Sequence, residues 1–194
     1  MKKVFLLAIT LAFTNVIFAQ TEKGKFVLSG ATGLQFISSK IDYKYDGKLQ
    51  GDDTQSSFSI MPSIGYFVID NLAVGLSANF SSTTEKYEGG KHTVSSTMLL
   101  PTAIYYFPVA GQIKPLLQVG AGLMYTREKG SFNVDKMSGL ALNFGGGVAY
   151  FINDYLSLNL GLSYNMANLK DNDNSKKVAK HSNFAANIGF SVFF

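Results

Sequence analysis

Long stretches of the chain alternate between apolar and small polar residues. Over 156–165, four leucines and Tyr164 take one set of alternate positions, and Ser, Asn and Gly take the other. The stretch 183–194 repeats the pattern. A period of two is typical of a β-strand whose two faces meet different surroundings, and it does not fit a helix. Similar alternation predicts further strands over 25–38, 57–68, 72–83, 94–107, 117–125 and 140–150. Leu99 and Leu100 blur the parity of 94–107, which makes that prediction the weakest.

The polar face indicates what surrounds the sheet. A soluble barrel, such as a lipocalin-like carrier, would carry Lys, Glu and Asp on its outer face. Here the polar face consists of Ser, Asn, Gln, Gly and Ala, which suit the narrow lumen of an eight-stranded barrel. The apolar face then turns outward to hydrocarbon, where a closed sheet leaves no backbone group unpaired. The pattern predicts an all-β fold, an eight-stranded antiparallel up-and-down transmembrane β-barrel.

An aromatic doublet recurs at nearly even spacing along the chain. It occurs as Tyr66-Phe67, Tyr106-Phe107 and Tyr150-Phe151, with Val192-Phe193 and then Phe194 at the fourth place. Each interval has the length of two long strands with their connections, so four returns predict eight strands. Aromatic rings are favoured at the membrane interface. We therefore expect the tyrosine of each doublet to form a lipid-facing girdle above the short turns, with the next residue turned inward.

Residues 1–19 have the form of a secretory signal peptide. Lys2 and Lys3 form the positive start, an apolar run follows over 4–18, and Ala19 is the small residue at the expected cut. A membrane anchor is the alternative, but a spanning helix needs roughly 20 apolar residues. We expect residues 1–19 to be removed during export through the inner membrane and residues 20–194 to form one outer-membrane barrel domain.

Composition excludes two classes of protein. The formal net charge is only +4, with 15% charged residues, which gives no argument for nucleic acid binding. There is no cysteine, so the domain is not a disulfide-stapled scaffold and a well-paired sheet must provide its stability.

The predicted connections alternate between long and short. Most charged residues fall in the segments 40–53, 85–91, 127–136 and 170–180. The other connections are turns around Asp70-Asn71, around Asn153-Asp154 and over 108–111, rich in residues that tolerate left-handed conformations. Outer-membrane barrels have short periplasmic turns and longer extracellular loops. We therefore expect the four charged segments to be long loops outside the cell. Phe36, Tyr125 and Tyr164 predict a second aromatic girdle near them.

Two prolines conflict with this scheme. Pro62 and Pro101 lie inside predicted strands, and a closed barrel offers no free edge where a missing N–H is harmless. We expect bulges or gaps in the hydrogen-bond ladder at both.

Three segments resemble the OmpA/OmpX/OmpW-like group of small outer-membrane β-barrel domains, part of the porin-family group. They are 62–67 running into Asp70-Asn71-Leu72, its echo over 150–156, and the end of the chain over 190–194. The similarity covers the chain from Lys25 to Phe194. It implies the barrel fold and a place in the bacterial cell outer membrane. It implies no particular activity, because one barrel scaffold hosts many functions.

The end of the chain is similar to the C-terminal signal that the barrel-assembly machinery recognises in such proteins. Ile188, Phe190, Val192 and Phe194 supply its alternate apolar positions and its aromatic end. The resemblance implies this machinery as a partner, together with outer-membrane lipids and lipopolysaccharide.

Candidate catalytic residues are few. His92 falls in the second charged segment, and His181 stands beside Ser182 at the start of the last strand. A base and a nucleophile must converge, whereas adjacent strand residues point to opposite faces. We expect no catalytic residue and no cofactor, although a lipid A-modifying enzyme with a surface histidine remains an alternative.

Binding motifs are equally weak. Asp52-Asp53 and the Asp171-x-Asp173 pair could provide hard-ion ligands, but lysines surround both and we expect no metal site. Gly145-Gly146-Gly147 is not followed by the helix of a phosphate loop, so barrel packing explains it better. The charged residues of 170–180 could contact lipopolysaccharide head groups.

Chemical variety is concentrated in the charged segments, which favours a non-enzymatic structural or surface-interaction role with partners bound through the loops. A narrow channel for small or apolar solutes is the alternative, although a lumen without charged residues should be plugged by its side chains. A secretion-machine component is a further alternative.

Overall fold

The computed structural model describes residues 21–34, 44–45, 48–49, 54–87, 90–129, 134–171 and 178–194. In these residues no helix is long and apolar enough to cross a membrane. The predicted signal peptide lies outside the described part of the chain, as do Phe36 and the Asp52-Asp53 pair.

The described residues form ten strands: β1 (Phe26–Leu34), β2 (Lys44–Tyr45), β3 (Lys48–Leu49), β4 (Thr54–Ile69), β5 (Leu72–Tyr87), β6 (Gly90–Tyr106), β7 (Ile113–Lys129), β8 (Val134–Asn153), β9 (Leu156–Asp171) and β10 (Val178–Phe193). Eight of them close into one antiparallel barrel in the order β1-β10-β9-β8-β7-β6-β5-β4. The short strands β2 and β3, which come between β1 and β4 in the sequence, pair with each other in a separate sheet. The predicted eight-stranded antiparallel barrel is confirmed.

β1 closes the barrel by pairing on both sides. Val27 is the partner of Phe193 in β10 and of Gly65 in β4. Over the length of β1 that the structure describes, every barrel strand thus has two neighbours and the sheet closes without an edge strand, which is the condition for a sheet in hydrocarbon.

The alternation of the sequence becomes the inside and the outside of the barrel. In β9, Leu160 is 58% exposed on the outer face, whereas Ser157 is fully buried in the lumen. Most of the large exposed apolar side chains belong to the outward parity of the strands. The structure therefore has the apolar exterior that the sequence predicts, and small polar side chains such as Ser157 take part of the inward parity.

The two prolines are accommodated by gaps in the ladder. β4 and β5 pair at Ile60 and again from Ser63, without pairing at Pro62 and without a change of register. β6 and β7 pair at Leu99 and again from Thr102, which skips Pro101 in the same way. Each proline keeps its pairing on the other side, with Gly30 or Leu76. The expected ladder gaps are confirmed.

The short turns have specific local causes. Asn71 has a φ of 66°, a left-handed conformation that Asn tolerates better than most residues. The Asn153 Oδ1 accepts hydrogen bonds of 2.9 Å from the N–H groups of Tyr155 and Leu156. A register shift precedes each of these turns, between Phe67 and Ile69 and between Phe151 and Asn153.

At the end of the barrel opposite the short turns, parts of the charged segments lie in strands rather than in loops. β5 ends at Tyr87 and β6 begins at Gly90, so the expectation of a long loop over 85–91 is wrong. It is also wrong for most of 127–136, since β7 runs to Lys129 and β8 starts at Val134. The strands from β4 onward have 16 to 20 residues, whereas a spanning strand needs about 9 to 11. Charged residues are therefore compatible with strand pairing where the barrel wall extends beyond the hydrocarbon.

Candidate functional site: the lumen and its two ends

Four aromatic side chains fill the lumen at the short-turn end of the barrel. Phe67, Tyr106, Phe151 and Phe193 are each at most 2% exposed. The Phe193 ring centroid lies 5.0 Å from that of Phe151, 6.0 Å from that of Tyr106 and 6.3 Å from that of Phe67. Val27, Ala73 and Ala149 complete the cluster. We call the four aromatic residues the aromatic floor.

The aromatic floor corrects one prediction about the doublets. Tyr66 and Tyr150 lie on the outer face and the next residue turns inward, but Tyr106 is only 2% exposed and lies in the lumen. Tyr105, 37% exposed, takes the outward place. The prediction that Tyr106 faces the lipid is therefore wrong. Leu100 and Thr102 point into the lumen, so residues an even number of positions further along β6, including Tyr106, also point inward. The three consecutive aromatic residues over 105–107 do not show by themselves which of them faces the lumen.

The start of the described chain covers this end of the barrel. The Thr21 hydroxyl donates a 2.7 Å hydrogen bond to Asn71 Oδ1 and accepts one of 3.4 Å from Lys114 Nζ. Lys114 Nζ also lies 5.2 Å from the centroid of the Phe151 ring. Backbone bonds from Gly24 N–H to the Phe67 carbonyl and from Phe67 N–H to the Lys25 carbonyl fix the segment in place. Residues 21–25 thus form a second layer beneath the aromatic floor.

Above the floor, uncharged polar side chains on the inner wall form a network of hydrogen bonds between neighbouring strands. Gln118 Nε2 donates to Asn143 Oδ1 at 3.0 Å, and Asn143 Nδ2 donates to Asn165 Oδ1 at 2.8 Å. Further round the wall, from β9 to β1, Asn159 Nδ2 donates to Ser191 Oγ at 2.6 Å, and the Ser191 and Ser29 hydroxyls lie 2.7 Å apart. These groups line a cavity of about 140 Å³. None of the described residues that line it is charged, so these residues provide no group that would select an ion.

A second apolar cluster lies on the far side of this network. It consists of Met98, Leu100, Met124, Met137, Ala141, Ala167 and Leu169. Met98 and Leu100 also line the cavity, so the polar layer has apolar side chains both below and above it.

The outer ends of the strands carry the titratable groups of the sequence candidates. His92 Nε2 lies 3.0 Å from Glu128 Oε1. His181 and Ser182 are both exposed neighbours in β10 and point to opposite faces, as expected. Asp171 is buried, whereas its predicted companion Asp173 lies outside the described residues. In the described part of the chain, no group of three or more His, Cys, Asp or Glu could hold a metal ion.

The triple glycine belongs to the wall of β8. An added Cβ at Gly147 would collide with the carbonyl oxygen of Leu160 and approach the Cα of Gly161 to 2.7 Å. Gly145 has more room, with its closest neighbour, the Leu162 oxygen, at 3.4 Å. Close packing between neighbouring strands therefore explains at least one of the three glycines.

Sequence reasoning assigned the network residues to the polar face but missed the aromatic floor and the segment that covers it. The parity of Phe67, Phe151 and Phe193 was a usable signal, because each lies one residue away from an outward position. Nothing in the sequence pattern indicated that residues 21–25 fold under the barrel.

A closed eight-stranded sheet with an apolar exterior and a filled, polar lumen is the architecture of an integral outer-membrane β-barrel protein. The chain belongs to the outer membrane protein beta-barrel domain family, whose model matches residues 4–192. Its location is the bacterial outer membrane.

Solved structures share this fold. Neisserial surface protein A is 20% identical over 89% of this chain and 98% of its own, with a TM-score of 0.58. OprG from Pseudomonas aeruginosa is 18% identical over 91% of this chain and 99% of its own, with a TM-score of 0.52. The N-terminal β-barrel domain of OprF from the same organism is 16% identical over 90% of this chain and all of its own, with a TM-score of 0.50. No match was found among curated protein sequences.

Proposed function

We propose that the protein is a non-enzymatic barrel with a structural or surface-interaction role, and that it does not conduct solutes. The aromatic floor is the observation that carries this proposal. Its four side chains are packed at centroid distances of 5.0 to 6.3 Å and the chain itself covers them from below. A path through the barrel would have to displace both layers.

The distribution of charge supports a role at the surface. The described residues of the cavity lining are uncharged, whereas the ends of the long strands carry charged residues, among them Arg127, Glu128, Lys129, Lys136 and Lys170. In family barrels of this topology the short turns face the periplasm. The charged strand ends then face the outside of the cell, where surface partners and lipid head groups are met.

Single-channel recording in planar bilayers tests the closed lumen. We expect no conductance steps from the purified barrel. The Phe67→Ala/Phe193→Ala double variant removes half of the aromatic floor and should give brief openings. A double variant of the same kind on the outer face, Phe58→Ala/Phe80→Ala, should give no openings. Regular steps from the unaltered protein would overturn the proposal.

A narrow channel for small uncharged solutes is the second candidate, favoured by the polar cavity of about 140 Å³. It requires the aromatic floor to move. Swelling of liposomes in small neutral solutes separates the two functions. If the protein is a channel, the unaltered protein accelerates swelling. If the barrel is closed, only the Phe67→Ala/Phe193→Ala variant does.

The lipid-modifying alternative depends on the two histidines. We expect the lipid A of cells that carry His92→Ala and His181→Ala to have the same mass spectrum as that of cells with the unaltered protein. Loss of a lipid A species in either variant, with an unchanged amount of folded barrel, would instead support the lipid-modifying enzyme.

A further inference from the structure

The lumen cavity has an apolar side and a polar side. Its methionine, isoleucine and inward leucine side chains come from β4, β6 and β7: Met61, Met98, Leu100, Ile104 and Leu116. Four of the five asparagines among the described lining residues come from β8, β9 and β10, and only Asn79 comes from β5. A molecule in the cavity therefore meets mainly hydrocarbon on one side and mainly amide groups on the other.

The size of the cavity suits a molecule about as large as benzene. The cavity measures about 140 Å³, and a protein cavity of about 150 Å³ is known to bind benzene. Met61 and Met98 both line it, and methionine sulfur makes favourable contacts with aromatic rings. A charged ligand is disfavoured, because none of the described lining residues carries a charge that would offset its desolvation. Size and lining together select a small neutral aromatic molecule.

Gly145 leaves this space open although local packing does not require a glycine there. It has the inward parity of Asn143 in the same strand, and its φ is not left-handed. An added Cβ would have the Leu162 oxygen at 3.4 Å and the Ser163 Cβ at 3.7 Å as its nearest neighbours. A glycine inside a strand weakens the sheet, and it often marks a place where a ligand approaches closely. Gly145 is therefore better explained by an occupant of the cavity than by contact between strands.

Asn187 has an unpaired hydrogen-bonding atom beside the cavity. Its Nδ2 donates to Ser163 Oγ at 2.9 Å, whereas its Oδ1 is buried and has no hydrogen-bond partner among the described residues. Exchanging the amide oxygen and nitrogen would only transfer the missing bond to Nδ2. A hydroxyl group suits either orientation, because it both donates and accepts. Since Asn187 lines the cavity, a small turn of its amide group would bring it to a hydroxyl bound there.

We propose that the lumen cavity binds one small neutral phenol. The ring lies against the methionine and leucine side chains, and the hydroxyl is hydrogen-bonded to the amide of Asn187. The ligand enters past the second apolar cluster, where Met98, Met124 and Met137 supply flexible, adaptable side chains.

Only the absence of an exit past the aromatic floor rests on the proposed function. Binding itself does not. Conductance steps from the unaltered barrel would overturn the closed lumen and leave the phenol site standing, whereas a barrel that binds no phenol would leave the closed lumen standing.

Fluorine NMR with 4-fluorophenol tests the site on the full barrel in detergent micelles, with empty micelles as the reference. We expect a change in the ligand signal that saturates at one ligand per barrel, because partition into micelles does not saturate. A signal that behaves in the same way with and without the barrel would overturn the proposal.

An isosteric variant tests the hydrogen bond. Asn187→Leu replaces the amide by an apolar group of similar shape. It should weaken the binding of 4-fluorophenol roughly threefold to tenfold, which is the effect of one lost hydrogen bond. Fluorobenzene has the same ring without the hydroxyl, so its binding should stay unchanged or become tighter. Equal weakening of both ligands, or no weakening of either, would overturn the assignment of the hydroxyl to Asn187.

Two further variants locate the ligand inside the barrel. Ala31→Leu in β1 and Gly145→Val in β8 both add carbon atoms to the cavity lining and should abolish saturable binding of both ligands. The matched control is Ala121→Leu, the same substitution at an exposed outward position of β7, which should leave binding unchanged. Heat-modifiable migration on gels shows whether each variant is folded. Saturable binding that survives in both folded cavity variants, or that is lost in Ala121→Leu, would place the ligand outside the lumen and overturn the proposal.

Discussion

At the scale of single residues, neighbouring positions of this chain have opposite environments. Tyr66 faces outward while Phe67 is fully buried, and the same holds for Tyr150 and Phe151. Since strand side chains alternate between the faces, the contribution of an aromatic residue to stability depends on parity more than on its position along the strand.

Two phenylalanines of β4 test this directly. Phe67 is 0% exposed and packs against Tyr106 and Phe193, whereas Phe58 is 64% exposed. We expect Phe67→Ala to lower the free energy of unfolding by about 3 to 5 kcal/mol, since it leaves a cavity in a packed cluster. Phe58→Ala should lower it less, because lipid or detergent fills the vacated space. Urea unfolding in lipid vesicles measures both; equal losses would contradict the packing of the floor.

The glycines of β8 give a second pair at this scale. Gly147→Ala forces a methyl group against the Leu160 carbonyl, while Gly145→Ala adds one at ordinary contact distance from its backbone neighbours. We expect Gly147→Ala to cost about 1 to 3 kcal/mol, as overpacking does elsewhere, and Gly145→Ala to be nearly neutral. The same unfolding assay compares them, and a larger loss at Gly145 would show that the two strands approach elsewhere.

At the scale of elements, the turn at Asn153 is tied to the start of β9 by side-chain hydrogen bonds. Asn153→Ala removes the acceptor for both Tyr155 and Leu156 N–H. At roughly 0.5 to 1.5 kcal/mol for each bond, partly replaced by water, we expect a loss of about 1 kcal/mol. Asn153→Asp keeps the acceptor and should retain most of the stability, which equilibrium unfolding of the three proteins would measure.

The strands and their pairing were predictable because alternation is a direct consequence of a sheet with two different faces. The strand ends were not. Residues 85–87, 90–91, 127–129 and 134–136 lie in strands although their charge indicated loops, because a barrel wall above the hydrocarbon can keep its ladder with charged side chains. Tyr106 was assigned to the wrong face because Leu99-Leu100 hides the parity of β6. The cover formed by residues 21–25 depends on tertiary hydrogen bonds that have no periodic signature.

At the scale of the whole molecule, the barrel is asymmetric along its axis. One end is closed by aromatic rings and by the chain itself, and the middle holds an uncharged polar network. Among the described strand residues of the other end, Arg127 and Lys170 are exposed whereas Asp171 is buried. The C-terminal strand joins these parts: Phe193 belongs to the floor, while Phe194 lies on the outer face and its ring stacks on Phe26 at 6.0 Å.

Substitutions of Phe193 and Phe194 should distinguish the stability of the folded barrel from its assembly in cells. Ile188, Phe190 and Phe194 are exposed on the outer face, where an assembly machinery could bind them before the barrel closes. We expect Phe194→Ala to reduce the amount of folded barrel in cells severalfold, yet to leave refolding of the purified chain into detergent nearly unchanged, because the Phe26–Phe194 backbone bonds remain. Phe193→Ala should weaken the folded barrel in both settings, because it removes a packed ring from the floor. Heat-modifiable migration quantifies the folded fraction in each case. If Phe194→Ala impaired refolding in detergent as much as it impaired assembly in cells, its role would be packing alone, and the proposed assembly signal would be rejected.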